Sequence, residues 1–229
     1  MEKQIIFEDN HLIVVNKQPG QIVQGDKTGD MPLSEKLKEH IKIRDQKPGN
    51  VFVGVVHRLD RPVSGIVVFA KTSKALSRMN ELFKTREAHK TYWAVVKNKP
   101  KDQSGSLIHY LTKNEKQNKS YASDFEKKGS LKSELNYNLI AKSDTYYLLE
   151  VNPLTGRHHQ IRVQLSSMGC PIKGDLKYGF NRSNADASIH LHARQLRFMH
   201  PIRQVELLLV APVPNEIVWK SLEENAIVS

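Results

Sequence analysis

A succession of short apolar runs, several separated by little more than a turn, confines this chain to a sheet-dominated fold. Leu12-Ile13-Val14-Val15 is a continuous apolar run and predicts a buried strand, and Lys17-Gln18-Pro19-Gly20 turns the chain out of it. Further strands are predicted over residues 51–56, 66–70, 90–96, 146–151, 189–200 and 205–210. Helical spacing is rarer. Pro32 begins one short helix, with Leu33, Leu37 and Ile41 on a single face. Ser73 caps a second, striped by Leu76, Met79, Leu82 and Phe83. A third is expected from the turn at residues 154–157 to about Met168, with Ile161, Leu165 and Met168 inward and Gly169 as its stop. Residues 99–132 are polar and lysine-rich, and predict hairpins and loops. Many strands, few helices and short connections give an α+β class with a mostly antiparallel sheet.

The formal net charge of +11 over 229 residues narrows the partners. The positive charge is spread along the chain, so it forms a basic surface on a folded body, and the expected partner is a nucleic acid. No apolar run approaches the roughly 20 residues needed to span a bilayer, and no lipid-binding helix is visible, so no membrane is expected. The single cysteine, Cys170, and the absence of a signal-peptide apolar region near the N-terminus predict a cytoplasmic protein.

The densest chemistry lies at His57-Arg58-Leu59-Asp60-Arg61-Pro62-Val63-Ser64-Gly65. A carboxylate between two guanidinium groups, on a turn at a strand end, either caps that turn or is aimed into a cleft to do chemistry. Thr155-Gly156-Arg157-His158-His159-Gln160-Ile161-Arg162 places arginines at a predicted helix start, where an anion or a carboxylate can be held. Tyr92 is inside a predicted strand and is either core or a platform for an extruded base. Residues 20–28 approach a phosphate-binding loop, but Asp26 breaks the spacing and puts negative charge where phosphates would lie. The histidines form no recognised ligand set: His190 and His192 share one side of a strand, whereas His158 and His159 are expected to point different ways. No metal site and no cofactor are expected.

In order and spacing these segments resemble the RluA family of RNA pseudouridine synthases. The resemblance runs from Val14-Val15-Asn16-Lys17-Gln18-Pro19-Gly20 through His57-Arg58-Leu59-Asp60, Ser64-Gly65, Ala70-Lys71-Thr72 and Lys90-Thr91-Tyr92. It continues through Thr155-Gly156-Arg157, His159-Gln160-Ile161-Arg162, Gly174-Asp175 and Tyr178-Gly179 to Leu191-His192-Ala193 and His200-Pro201. It implies the pseudouridine synthase fold, a long mixed and mostly antiparallel sheet with flanking helices. It also implies one catalytic domain over residues 1–229, without the separate N-terminal RNA-binding domain of some relatives. The implied reaction breaks the bond between uracil nitrogen and ribose, turns the flipped base, and rejoins it through carbon, with no cofactor.

The resemblance also assigns roles. Asp60 matches the essential aspartate, which either attacks the sugar carbon or abstracts a ribose proton. Tyr92 matches the tyrosine that stacks on the target uracil, and Arg162 the basic residue paired with the aspartate. Arg58 resembles the arginine that fills the gap left by the flipped base. With His57, Arg61, Arg157, His159 and Gln160 it makes up the expected RNA-binding set. Val63 and His158 stand where the family often has threonine, and His158 is expected to add a phosphate contact. The implied partner is an RNA stem-loop, ribosomal or transfer, bound by a monomer. A non-catalytic RNA-binding or RNA-chaperone protein and a glycosidase that releases free uracil are the competing readings.

Overall fold

The computed structural model describes residues 1–26 and 29–228, so Lys27 and Thr28 of the phosphate-loop-like segment lie outside the described residues. In chain order the strands and helices are β1 (Ile5–Glu8), β2 (Leu12–Lys17), α1 (Leu33–Arg44), β3 (Gly54–Val55), β4 (Ser64–Ala70), α2 (Ser73–Lys84), β5 (His89–Val96) and β6 (Ser104–Asn114). Then come β7 (Lys119–Ser123), β8 (Leu131–Lys142), β9 (Tyr147–Pro153), α3 (Gln160–Ser167), β10 (Leu191–Met199), β11 (Glu206–Val210) and α4 (Ile217–Val228). The chain falls into two compact units, Met1–His89 with Ala193–Pro212, and Lys90–His192 with Val213–Ser229.

In the first unit the strands run β1-β2-β4-β10, with β11 against β10 and β3 against β4. Every residue of β2 and β4 is buried. Both strands are covered twice, which is why they read as unbroken apolar runs rather than alternating ones. Leu12, Val14, Ile66 and Val68 pack with Ala75 and Met79 of α2. Ile13, Val15, Val67 and Phe69 pack with Leu33, Leu37 and Ile41 of α1. The predicted faces of both helices are therefore the ones that are buried. The cap of α2 is Thr72, one residue before the expected Ser73: its hydroxyl accepts from the Ala75 amide at 3.2 Å. The strand expected over residues 51–56 shrinks to two residues, since only Gly54 and Val55 pair with β4. Gly54 itself lies so close to Leu76 that a Cβ would sit 2.7 Å from a leucine methyl.

In the second unit the order is β5-β9-β8-β6-β7, and each of these pairs is antiparallel. The polar stretch expected as hairpins and loops forms them with long strands, β6, β7 and β8. Leu111 and Ala122 meet Val163 of α3 on one face. Trp93, Val95 and Leu148 meet Trp219 and Leu222 of α4. The α3 helix starts at Gln160, later than expected, because His159 sits at its N-terminus in a left-handed conformation (φ 54°). Arg157 thus precedes the helix instead of lying in its first turn. All of residues 160–165 are buried, while Met168 is only half-buried.

Gly65 is the tightest backbone contact of the first unit. It has φ +112°, and a Cβ there would lie 2.4 Å from the Ala193 carbonyl oxygen and 2.5 Å from its nitrogen. Since both neighbours are backbone, neither yields. Gly65→Ala is expected to cost about 3 kcal/mol or more, read as a lower midpoint in chemical denaturation. An unchanged midpoint would show that β4 and β10 can separate freely.

Candidate functional site

Asp60 leaves the chain on a turn that a lysine holds from below. The Val63 amide donates to the Asp60 carbonyl at 3.0 Å, closing the turn. Lys17, the last residue of β2, is fully buried. Its ammonium donates to the carbonyl oxygens of Val63 at 2.6 Å, Arg61 at 3.1 Å and Gln18 at 3.1 Å. Three donors meet three acceptors, so the group matches its site. Burial pushes the Lys17 pKa down from 10.5 to about 7, the Asp60 charge pulls it back up, and the Arg61 charge pushes it down further.

The flanking residues of the turn divide by environment. The Arg61 backbone carbonyl accepts from the Gly20 amide at 2.9 Å, and its Nε donates to the Gly20 carbonyl at 3.1 Å. Its guanidinium also pairs with Asp30. His57 accepts from the Val68 amide at 3.1 Å through Nε2, and its ring stacks on Phe83 with centroids 4.7 Å apart. Arg58 is exposed and Asp60 half-buried. Of the four charged or polar residues expected around this turn, His57 and Arg61 hold the loop through these bonds, Arg58 and Arg61 are exposed, and Asp60 is half-buried.

The second unit carries Tyr92, Arg157, His159, Gln160 and Arg162. Tyr92 is half-buried on β5, opposite Val151 of β9. Arg162 is buried, and it is gripped along one edge by an acid: Nε to Asp175 Oδ2 at 2.7 Å and Nη2 to Asp175 Oδ1 at 2.9 Å. Asp175 is 1% exposed, so this is a two-pronged ion pair made away from water. The Tyr178 ring lies on the guanidinium, 5.1 Å from its central carbon. The Tyr178 hydroxyl accepts from the Ser120 amide at 2.8 Å and is 2.9 Å from His159 Nδ1. Gln160 is a brace. Its oxygen accepts from the Thr155 hydroxyl at 2.8 Å and the Arg157 amide at 3.0 Å, and its nitrogen donates to the Glu134 carbonyl at 3.0 Å. Arg157 is exposed and its Nε reaches the Lys132 carbonyl at 3.4 Å.

The two adjacent histidines do not point apart as expected. Because His159 is left-handed and precedes the helix, the rings of His158 and His159 stack with centroids 3.8 Å apart. His158 Nδ1 meets the Ser120 hydroxyl at 2.9 Å, and Nε2 meets Asn118 Oδ1 at 3.1 Å. His190 and His192 do share a side, where both rings meet Trp219. Among the described residues no group of three His, Cys, Asp or Glu could hold a metal ion. None of their helices is long and apolar enough to cross a membrane.

Residues 11–167 match the model of the RNA pseudouridylate synthase family, well over half of the chain. The chain belongs to that family. Among its relatives is ribosomal large subunit pseudouridine synthase C of Buchnera aphidicola, 31% identical over 97% of this chain and 70% of its own length. Another is tRNA pseudouridine synthase C of Vibrio cholerae, 30% identical over 96% of this chain and 93% of its own. The solved structure of human RNA pseudouridylate synthase domain containing 4 superposes with a TM-score of 0.78, at 26% identity, over 95% of this chain and 91% of that one. An RNA pseudouridine synthase is an isomerase, and its α+β fold and its family's activity are the ones the sequence motifs led to. The synthase residues that the motifs alone leave without a role are Lys17, Asp175 and Tyr178. All three lie in segments that carry the resemblance, but their partners are backbone groups or residues distant in sequence.

Two tests follow from these charges. Lys17 titrates near 10.5 when unfolded and about 7 when folded, so the folded protein holds fewer protons between those limits. Stability contributed by this position therefore rises as pH rises from about 7 to 10.5, and the cost of burying the ammonium is complete below about 7. Lys17→Met should erase that slope. Denaturant unfolding at about pH 6.5 and about pH 9.5 should show the native protein gaining on the variant at the higher pH; a constant difference would refute it. Asp175→Ala strands a buried guanidinium and should cost about 3–5 kcal/mol, with Asp175→Asn milder, as measured by equilibrium unfolding.

Proposed function

We propose that this chain converts a uridine of ribosomal or transfer RNA to pseudouridine, with Asp60 as the group that starts the reaction. The observation that carries this reading is the Asp60 turn. A half-buried carboxylate stands on a loop whose backbone is tied down at Gly20, Gln18, Arg61 and Val63 by Lys17 and Arg61. A reacting group needs this kind of fixed presentation, because small misplacements at the attacking atom are costly in rate.

In the proposed reaction the target uridine leaves its stack, since the glycosidic bond cannot be reached inside a helix. Asp60 either attacks the sugar carbon or removes a ribose proton, and the bond from that carbon to uracil N1 breaks. The freed uracil turns and C5 bonds to the sugar carbon, which breaks the bond to Asp60 where the carboxylate attacked, or is followed by return of the ribose proton from Asp60 where it was abstracted. The C5 proton leaves, N1 gains one, and no atom is added or lost overall. Tyr92 supplies a face for the uracil. Arg162, held by Asp175 and Tyr178, supplies the positive charge that the resemblance pairs with the aspartate. Arg58 and Arg157, both exposed, contact the RNA. The substrate is an RNA stem-loop and the enzyme works as a monomer in the cytoplasm.

Asp60→Ala should abolish pseudouridine formation on unmodified ribosomal RNA and tRNA transcripts while leaving RNA affinity within about twofold. Pseudouridine mapping at single-nucleotide resolution, with a binding isotherm for each protein, reads both quantities. Turnover by the variant would remove Asp60 from this role. Tight binding with no product from the native protein on any transcript would instead favour a binding protein on the same fold.

A further inference from the structure

We propose that Asn184 is a positioning residue for Arg162: it clamps the segment Lys173-Gly174-Asp175, so that the Asp175 carboxylate and the guanidinium it grips keep a fixed place. This rests on the role given to Arg162 above and names what holds it there. Within residues 181–187 every residue is exposed except Asn184, which is half-buried. Its Oδ1 accepts from the Lys173 ammonium at 2.7 Å. Its Nδ2 donates to the Ser188 carbonyl at 2.9 Å and to His190 Nδ1 at 2.9 Å, with the Ser188 hydroxyl at 3.3 Å. A lysine has only protons to give, so the amide oxygen must face it and the amide nitrogen must face the other partners. An asparagine that only ordered its own loop would bond within it, as Ser188 does to Asp186 at 2.6 Å. Asn184 instead reaches out of the loop, to Lys173 on one side and His190 on the other.

The clamp lies directly on the backbone beside Asp175. Gly174 has φ +86°, and a Cβ there would sit 2.5 Å from Asn184 Nδ2 and 2.7 Å from the Ser188 carbonyl oxygen. The next residue is Asp175, which holds Arg162 at 2.7 and 2.9 Å. On the other side of Gly174 the Lys173 amide donates to the Val95 carbonyl at 2.8 Å, and the Lys173 carbonyl accepts from the His190 amide at 2.9 Å. Asn184 adds a side-chain bond to that pairing and fills the space over the glycine. His190 secures the clamp from its far end. Its Nδ1 accepts from Asn184, so its proton is on Nε2, 2.9 Å from Glu216 Oε2. Glu216 also accepts from the Trp219 amide at 3.4 Å, and the His190 ring stacks on the Trp219 ring, so the clamp is braced against α4. Burial holds the His190 pKa below its ordinary value, against the pull of Glu216 on α4 and of Asp186, and Lys173 lowers it further. At neutral pH Nδ1 is therefore an acceptor.

The test separates rate from binding and from stability. On an unmodified tRNA or ribosomal RNA transcript, Asn184→Ala should lower kcat about 10- to 100-fold, because a displaced group is costly in rate. KM and RNA affinity should stay within about twofold. Ser183→Ala, exposed and one residue away, is the control and should match the native protein. Asn184→Asp keeps the acceptor for Lys173 but sets a carboxylate against His190 Nδ1. That bond re-forms only when the ring is protonated, so kcat relative to the native protein should be lowest at about pH 8 and rise toward about pH 6. A role in stability alone would move the unfolding midpoint and leave this ratio flat. Independently of turnover, the Nε–H resonance of Arg162, set by its bond to Asp175, should shift or broaden in Asn184→Ala and stay in place in Ser183→Ala. An unmoved resonance, a kcat within about twofold of the native value, or an equal loss from Ser183→Ala would overturn the proposal. A native protein that makes no pseudouridine, but whose Arg162 resonance moves as expected, sinks the proposed function and leaves the clamp standing. A synthase whose Asn184 variants keep their kcat sinks the clamp alone.

Discussion

A single buried ammonium organises the first unit. Lys17 ends a strand that is otherwise apolar, and nothing about water explains why a lysine should be fully enclosed there. Its three carbonyl partners do. Gln18 is its neighbour, but Arg61 and Val63 are 44 and 46 residues away, on the far side of α1 and β3. One side chain therefore ties the exit of β2 to the turn before β4, two strands that also pair along their whole length from Leu12 with Ala70 to Lys17 with Gly65. An arginine could not substitute simply, because its flat fork does not offer three donors converging from one nitrogen. A neutral residue would leave the carbonyls unanswered in a dry interior.

The second unit settles its buried charge in the opposite manner. Arg162 meets a full counter-charge in Asp175, and the pair is sealed by the Tyr178 ring. Lys17 is satisfied by dipoles, Arg162 by an ion. The difference matters for how each responds to its surroundings. Burial without a full ion pair disfavours the charged ammonium, which is why the Lys17 pKa is pushed down to about 7. A guanidinium stays charged at any ordinary pH and needs its acid. Gln160 shows a third solution, a neutral amide whose oxygen and nitrogen are both taken by backbone or hydroxyl groups.

Much of this is legible in the sequence because the informative signals are local. Strands buried on both faces leave unbroken apolar runs, as in Leu12 to Val15 and Ile66 to Ala70. The stripes of α1 and α2 repeat at helical spacing. Asp60 is legible because its turn is contiguous with His57 and Gly65. The role of Lys17 is not, since backbone carbonyl partners have no side-chain signature. Asp175 likewise sits 13 residues from Arg162 across a loop. The start of α3 is misplaced by sequence because Gly156-Arg157-His158 resembles a helix entry, whereas the conformation of His159 defers it to Gln160. The lysines of residues 99–132 conceal long strands because half of each strand faces water. The closing helix α4 escapes the sequence pattern, although Trp219 and Leu222 are spaced to share its buried side.

The hydroxyl of Tyr178 has one more effect, on the margin of the sheet. In the second unit β7 is the last strand in the order, and its outward backbone groups are the kind that recruit further strands. The Ser120 amide lies near the start of that margin, and Tyr178 already occupies it at 2.8 Å. An incoming strand would have to evict a buried phenol that also carries Arg162 and His159. The margin is thereby closed to sheet extension at Ser120, and protection from strand-by-strand aggregation comes built into the support of an arginine.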